Sequence, residues 1–167
     1  RPALAVVGSR NATVQGVRDA EQFAKAFSEA GLTIVSGLAL GIDAAAHRGG
    51  LAAQGSTIAV LGTGVDVIYP RQNAALAARI AESGLILSEF PLGTQGLPDH
   101  FPRRNRLISG LAQGCLVVEA ALASGSLITA RAALMGFRIV ETPATEPAAR
   151  SRPSMIDASS SLRPFSV

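Results

Sequence analysis

The residues best suited to chemistry in this 167-residue chain are cations without matching acids. Arg103-Arg104-Asn105-Arg106 stands at the predicted start of a short helix whose apolar side is Leu107, Ile108 and Leu111. Between His100 and Val118 there are three arginines and no carboxylate. A solvated face usually mixes its charges, and cations at a helix start oppose the helix dipole, which favours anions there. A bound phosphate would remove that conflict, and Asn105 could donate to a phosphate or a base edge. A second candidate, Gly8-Ser9-Arg10-Asn11, lies between an apolar strand and a helix, where backbone N–H groups attract anions and Arg10 adds a charged donor. Ser124-Gly125-Ser126-Leu127-Ile128-Thr129 repeats that arrangement at another predicted helix start, although Ser124 alone would serve as an ordinary N-cap.

Other chemistry-bearing residues read as structural. Asp43 and His47 are four apart on one predicted helix, as a helix-start acid and a surface or satisfied histidine rather than an acid–base pair. His100 adjoins the arginine cluster as a minor contact. Asp66 and Tyr69, before Pro70, order a loop. Tyr69 and Phe101 are the aromatics expected at the loop rim, where each could stack on a base or pack into the core. The single cysteine, Cys115, opens an apolar run, as a buried thiol, and excludes an internal disulfide or a multi-cysteine metal site. No G-x-S-x-G elbow, P-loop, H-E-x-x-H or G-x-G-x-x-G fingerprint is present. No catalytic constellation, metal site or cofactor is expected from these residues.

The elements that must position these groups follow from apolar patterning. Strands are predicted at Ala3–Val7, Leu32–Val35, Thr57–Leu61, Leu85–Leu87, Leu116–Val118 and Phe137–Val140, as short continuous apolar runs buried on both faces. Helices are predicted through Val17, Ala20, Phe23, Ala24 and Phe27, over 42–53, after Pro70 through Leu76 and Ile80, over 103–112 and over 126–135. Phe90 to Pro102, with three prolines and two glycines, reads as a loop. Strict alternation of strand and helix predicts an α/β fold: a doubly wound, mostly parallel sheet in a three-layer sandwich, with ligands at the carboxyl ends of the strands. Those ends include Gly8-Ser9-Arg10, Ser36-Gly37, Gly62-Thr63-Gly64 and Ser88-Glu89.

Composition agrees with a folded core, at 48% hydrophobic and 16% charged residues, with only 4% aromatics. A net charge of +3 is weak evidence for an anionic partner by itself. No apolar stretch is long enough to span a bilayer and no signal peptide is seen, so a cytoplasmic location without a membrane partner is expected. The chain begins Arg1-Pro2, which suggests a fragment of something longer. Residues 1–141 are assigned to the core and 142–167, with four prolines and the run Ser159-Ser160-Ser161, to an irregular or disordered tail.

Several segments together resemble the DprA/Smf DNA-processing family, and the likeness runs from about Ala3 to Met135. They are Val7-Gly8-Ser9-Arg10, Ser36-Gly37-Leu38-Ala39-Leu40-Gly41-Ile42-Asp43 through His47, and Gly64-Val65-Asp66-Val67-Ile68-Tyr69-Pro70. Phe101-Pro102-Arg103-Arg104-Asn105-Arg106-Leu107-Ile108-Ser109-Gly110-Leu111 and Val117-Val118-Glu119-Ala120, followed by Ser124 to Ala130, complete the set in the same order. The resemblance implies an extended Rossmann-like core that binds single-stranded DNA without catalysis, acts in natural transformation, competence and recombination, protects incoming strands, helps load the RecA recombinase and forms a homodimer. It implies a DNA pocket of Ser9, Arg10, Arg104, Asn105, Arg106, Ser124, Gly125 and Ser126, joined by Thr129, with Gly8, Ser36, Gly37, Phe101 and Arg103 auxiliary. The alternative is a nucleotide-binding Rossmann-like enzyme of the phosphoribohydrolase (lysine-decarboxylase-like) type. That type uses Pro-Gly-Gly-x-Gly-Thr-x-x-Glu, but the corresponding region here is Glu119-Ala120-Ala121-Leu122-Ala123-Ser124-Gly125-Ser126. After Met135 the sequence leaves the family pattern, which reads as a frameshifted or truncated end.

Overall fold

A computed structural model describes residues 1–119 and the backbone of residues 139–142. The order of elements is β1 (Ala3–Gly8), α1 (Val14–Glu29), β2 (Thr33–Ser36), α2 (Ile42–Leu51), β3 (Thr57–Leu61), a 3₁₀ turn (Arg71–Asn73), α3 (Ala74–Ser83), β4 (Leu85–Ser88), α4 (His100–Leu111), β5 (Cys115–Val118) and β6 (Ile139–Thr142). Among the described residues the six strands form one sheet in the order β4-β3-β2-β1-β5-β6, every neighbouring pair parallel. The α/β doubly wound reading is therefore correct. The helix expected over 126–135, Ser124, Gly125, Ser126, Thr129 and the tail beyond 142 lie outside the described residues.

Right-handed crossovers dictate the layers. The chain steps in one direction from β1 to β4, which puts α1, α2 and α3 on one face. It then returns across the sheet to β5, which puts α4 on the other. Both faces of β1, β2, β3 and β5 are consequently apolar. Val6, Ile34, Leu116 and Val118 pack under Ala20, Ala24, Ile42, Ala45 and Ala46 of α1 and α2. Ala5, Val7, Val35, Val60 and Val117 pack under Ile108 of α4. With so few aromatics the core closes by short side chains at near-zero exposure, and α3 completes it with Ala77 and Ile80 against Ala59 and Leu61.

Several boundaries moved by one to three residues, and two of the shifts are at element starts beyond a single residue. β6 begins at Ile139, two residues later than its apolar run suggests. α4 begins at His100 rather than Arg103. Pro102 had marked this stretch as loop, but a proline fits the first turn of a helix, where no intrahelical N–H bond is lost. The arginines thus lie beyond the first three residues of α4, and the Arg103 N–H already bonds to the Asp99 carbonyl (3.4 Å). The conflict with the helix dipole, which falls off within the first turn, is weaker than the sequence implies.

The crossover reverses between β1 and β5, and here Gly8 allows the backbones to converge. A β-carbon at position 8 would overlap the Val118 carbonyl oxygen and stand 2.7 Å from Cγ1 of Ile42. Neither obstacle is a free side-chain end. Gly8→Ala is expected to cost about 3 kcal/mol, the upper part of the range for overpacking. A urea midpoint equal to that of the parent would contradict this reading of the junction. Among the described residues no helix is long and apolar enough to cross a membrane.

Candidate functional site

A pocket enclosing about 80 Å³ opens at the carboxyl ends of β1, β2 and β3. Arg10 lines it from the turn after β1. Gly37, Ala39 and Leu40 line it from the turn after β2, and Tyr69 and Pro70 from the turn after β3. Phe101 and Arg104 close it from α4. The volume suits one small polar group, such as a phosphate with its waters, rather than a whole nucleotide.

Arg104 is the unusual member. It is only 3% exposed. Its Nη1 donates to the Val60 carbonyl at 2.7 Å, and its Nε has no hydrogen-bond partner among the described residues. Space for the guanidinium exists because position 37 lacks a side chain: a β-carbon there would overlap Nη1. Burial pulls the Arg104 pKa below its ordinary value, Asp43 pulls it back up, and Arg10 pushes it down again. Asp43 shows the mirror pattern. Burial raises its pKa, while Arg104, the Ala39 and Gly37 N–H groups and Arg10 oppose the rise. Each charge is costly to bury, and each lowers the cost of the other.

The turn after β2 is held by buried side chains from two elements. One oxygen of Asp43, Oδ2, accepts from the N–H groups of Gly37 (3.1 Å) and Ala39 (3.4 Å). His47 Nε2 accepts from the Leu38 N–H at 3.2 Å, which leaves Nδ1–H to donate to Thr57 Oγ1 at 2.8 Å. The Thr57 hydroxyl then donates to the Ile34 carbonyl. His47 is fully buried and neutral, its pKa pushed down to about 3 by burial and then by Arg104. Asn73 Nδ2 donates to the carbonyls of Leu38 and Ala39. Leu38 itself has φ +59°, a strained value for a branched side chain, and this network sustains it. Asp43 and His47 therefore do not pair; each fixes a different part of the same pocket wall.

Aromatic rings flank the cations. The Arg10 guanidinium carbon stands 5.5 Å from the centroid of Phe101, and Tyr69 lies 5.6 Å from Phe101, with Tyr69 53% exposed. Across the first turn of α4, Arg103 stands 5.5 Å from the Phe90 ring, which is stacked on His100 at 4.2 Å. His100 Nδ1 also bonds to the Gly62 carbonyl.

The pocket thus brings together Arg10, Gly37, Phe101 and Arg104. Exposed Arg106 does not line it and is paired with Glu89 instead. Asn105 is half-buried on α4. Ser9 serves the turn after β1: its Oγ accepts from Asn11 N and its carbonyl from Ile42 N. Ser36 is buried and donates to the Val6 carbonyl, so its part is in the sheet. Two contributors escaped the sequence reading. Phe90 follows directly on the strand end Ser88-Glu89 and could have been read as a rim aromatic. Asn73 carries no local signal, because its partners lie 34 and 35 residues away. Cys115 is buried, and burial followed by Asp43 pushes its thiol up to about 12, so it is inert. Among the described residues no group of His, Cys, Asp and Glu could hold a metal ion.

Comparison with known proteins identifies the family. The family model described as DNA recombination-mediator protein A matches residues 1–157, past the point where the motif pattern breaks. Protein Smf of Escherichia coli is 54% identical over 132 residues, which cover 78% of this chain and 35% of that protein. The crystal structure of DNA processing protein A from Streptococcus pneumoniae superposes with a TM-score of 0.81 at 48% identity, over 86% of this chain and 51% of that one. A solved structure of DNA processing protein A from Helicobacter pylori, described for its single-stranded DNA binding mode, gives 0.78 at 31% identity, over 87% of this chain and 67% of that one. The chain spans about a third to a half of the length of the curated relatives it matches. On fold, sequence and the motifs around the pocket, it belongs to the DNA recombination-mediator protein A (DprA/Smf) family.

Proposed function

We propose that this chain binds single-stranded DNA through the Arg10–Arg104 pocket and acts in DNA processing. The observation that carries the proposal is a buried guanidinium, incompletely hydrogen-bonded, lining the same small pocket as an exposed second arginine. A phosphate oxygen between them would supply the missing negative charge. Phe101 and Tyr69 offer faces on which bases stack without regard to sequence. Arg103 and Arg106 extend the cationic rim, with Asn105 as a polar donor. A phosphate reaching Arg106 must displace Glu89. Ser9, Ser124, Gly125, Ser126 and Thr129 complete the proposed contact set as small donors, with Gly8, Ser36 and Gly37 shaping the turns. The Helicobacter pylori relative, studied for its single-stranded DNA binding, supports the partner.

The wider role follows from the family resemblance: protection of incoming strands in natural transformation, delivery to RecA, a homodimer, and work in the cytoplasm away from the membrane. The proposed activity is binding, without catalysis and without a cofactor. A phosphoribohydrolase would need a carboxylate near the glycosidic bond. The glutamate in the corresponding stretch, Glu119, instead spends both oxygens on Thr13. Release of free base from a nucleotide would restore the enzyme reading.

The test is fluorescence anisotropy with labelled oligo-dT and duplex DNA at two salt concentrations. Single-strand affinity should fall with salt in proportion to the phosphates neutralised. Arg10 is the better probe than Arg104, since its exposed side chain can be changed without emptying the core. Arg10→Glu should weaken oligo-dT binding by about 1–3 kcal/mol, the range for a lost charge-assisted contact. Unchanged affinity in this variant would remove the pocket from the proposal.

A further inference from the structure

In doubly wound folds the phosphate of a nucleotide sits at the N-terminus of the helix after the first strand, beside the point where the strand order reverses. In this chain that helix is α1, and the reversal lies between β1 and β5. The place is taken by an internal anion. Glu119, the residue after β5, sends Oε2 to the Thr13 N–H at 2.8 Å and Oε1 to the Thr13 hydroxyl. Thr13, the N-cap of α1, in turn accepts from the Gly16 N–H. Two features accommodate the carboxylate. Position 16 has no side chain, and a β-carbon there would overlap the Glu119 carboxyl group. Glu119 also holds φ +50°, a left-handed backbone that glutamate seldom adopts.

We infer that Glu119 is a specificity-determining residue that keeps free phosphate and mononucleotides off the α1 N-terminus. A carboxylate has the charge and the acceptor oxygens of a phosphate. Being part of the chain, it occupies the place without loss of translational freedom. The consequence is a division of the sheet's carboxyl edge. Among the described residues the α1 N-terminus beside the β1/β5 reversal is taken by Glu119, and the open cationic pocket lies towards β2 and β3, where Arg104 rests on Gly37. Neither step depends on the DNA reading. If oligo-dT fails to bind the parent protein, that reading falls while this one stands.

The test replaces Glu119 by Gly, which suits the left-handed backbone, and separately by Asn, which also tolerates it and is too short to reach Thr13. Thermal unfolding is followed in rising inorganic phosphate and in rising AMP. Every protein in the test carries Arg10→Ala, so that the cationic pocket does not itself report the anion, and with Glu119 intact there should be no saturable shift. Either variant should show a saturable rise in Tm of about 5 °C at a hundred-fold excess over Kd. The gain should vanish when Gly16→Ala is added, because its methyl group fills the vacated place. A protein with Glu119 intact that responds as the variants do, or folded variants that do not respond, would overturn the inference. So would a gain that survives Gly16→Ala, since the anion would then be bound elsewhere. If one variant does not fold, the other carries the test.

Discussion

Arg104→Met is expected to destabilise the protein by about 3–5 kcal/mol, far more than the loss of an ordinary surface cation. The reason is what it leaves behind. The Asp43 carboxylate is almost fully buried, and Arg104 is the first of the influences that offset its burial. The Val60 carbonyl also loses its 2.7 Å donor. Adding Asp43→Asn should then recover part of the loss. Both N–H bonds to Asp43 converge on a single oxygen, so the asparagine carbonyl can accept them while the uncompensated charge disappears. A coupling of about 1–3 kcal/mol is expected between the two changes, measured by urea unfolding of the four proteins in the cycle. Losses that simply add would mean that the two side chains are not electrostatically coupled. On the proposed function, oligo-dT binding should stay lost in the double variant even as stability returns. Stability needs Asp43 and Arg104 matched, whereas binding needs Arg104 itself.

That separation marks the boundary of what local sequence can reveal. The inner strands β1, β2, β3 and β5 were legible because a parallel strand buried on both faces must be a continuous apolar run. β3, Thr57–Leu61, was read to the residue. The start of α4 was missed because Pro102 signals loop and first helical turn alike. The arginine cluster was legible as positive charge, but its division was not. Arg103 and Arg106 face solvent, while Arg104 passes under the pocket. What draws it there is the vacancy at Gly37, 67 positions earlier and at the end of another strand. The spacing of Asp43 and His47 invited a mutual pairing. The turn that both of them brace lies just upstream, but its need for buried partners arises from the left-handed Leu38, which no apolar periodicity encodes. Charge and period are local properties, whereas burial is decided by the sheet.

Acid should unfold this protein earlier than its few buried carboxylates would suggest, and His47 is the reason. In the unfolded chain its imidazole titrates near 6.5; in the folded protein it is held to about 3. The depressed folded value means that between these pH values the unfolded state binds a proton that the native state refuses. Stability is then full above pH 6.5 and falls as pH drops towards 3, by up to about 1.4 kcal/mol per pH unit. Asp43 works the other way. Its raised pKa lets the native state take up a proton before the unfolded chain does, which offsets part of the loss at the acid end of the window. The fall should therefore set in near pH 6.5, reach its full slope about one pH unit lower, and ease where Asp43 begins to offset it. Protonation cannot be accommodated in place. Nε2 accepts from the Leu38 N–H, so a proton there would set two donors against each other, with the Arg104 charge nearby. The measurement is the urea midpoint from pH 7.5 to 4. His47→Gln should lower stability at neutral pH and flatten the profile. A parent profile that is level between pH 6.5 and 5 would show that His47 is not neutral and caged in the folded state. Because the native state refuses this proton until about pH 3, the turn beneath the pocket keeps the seat of Arg104 across the window, and any oligo-dT binding there should fall only as the folded fraction falls.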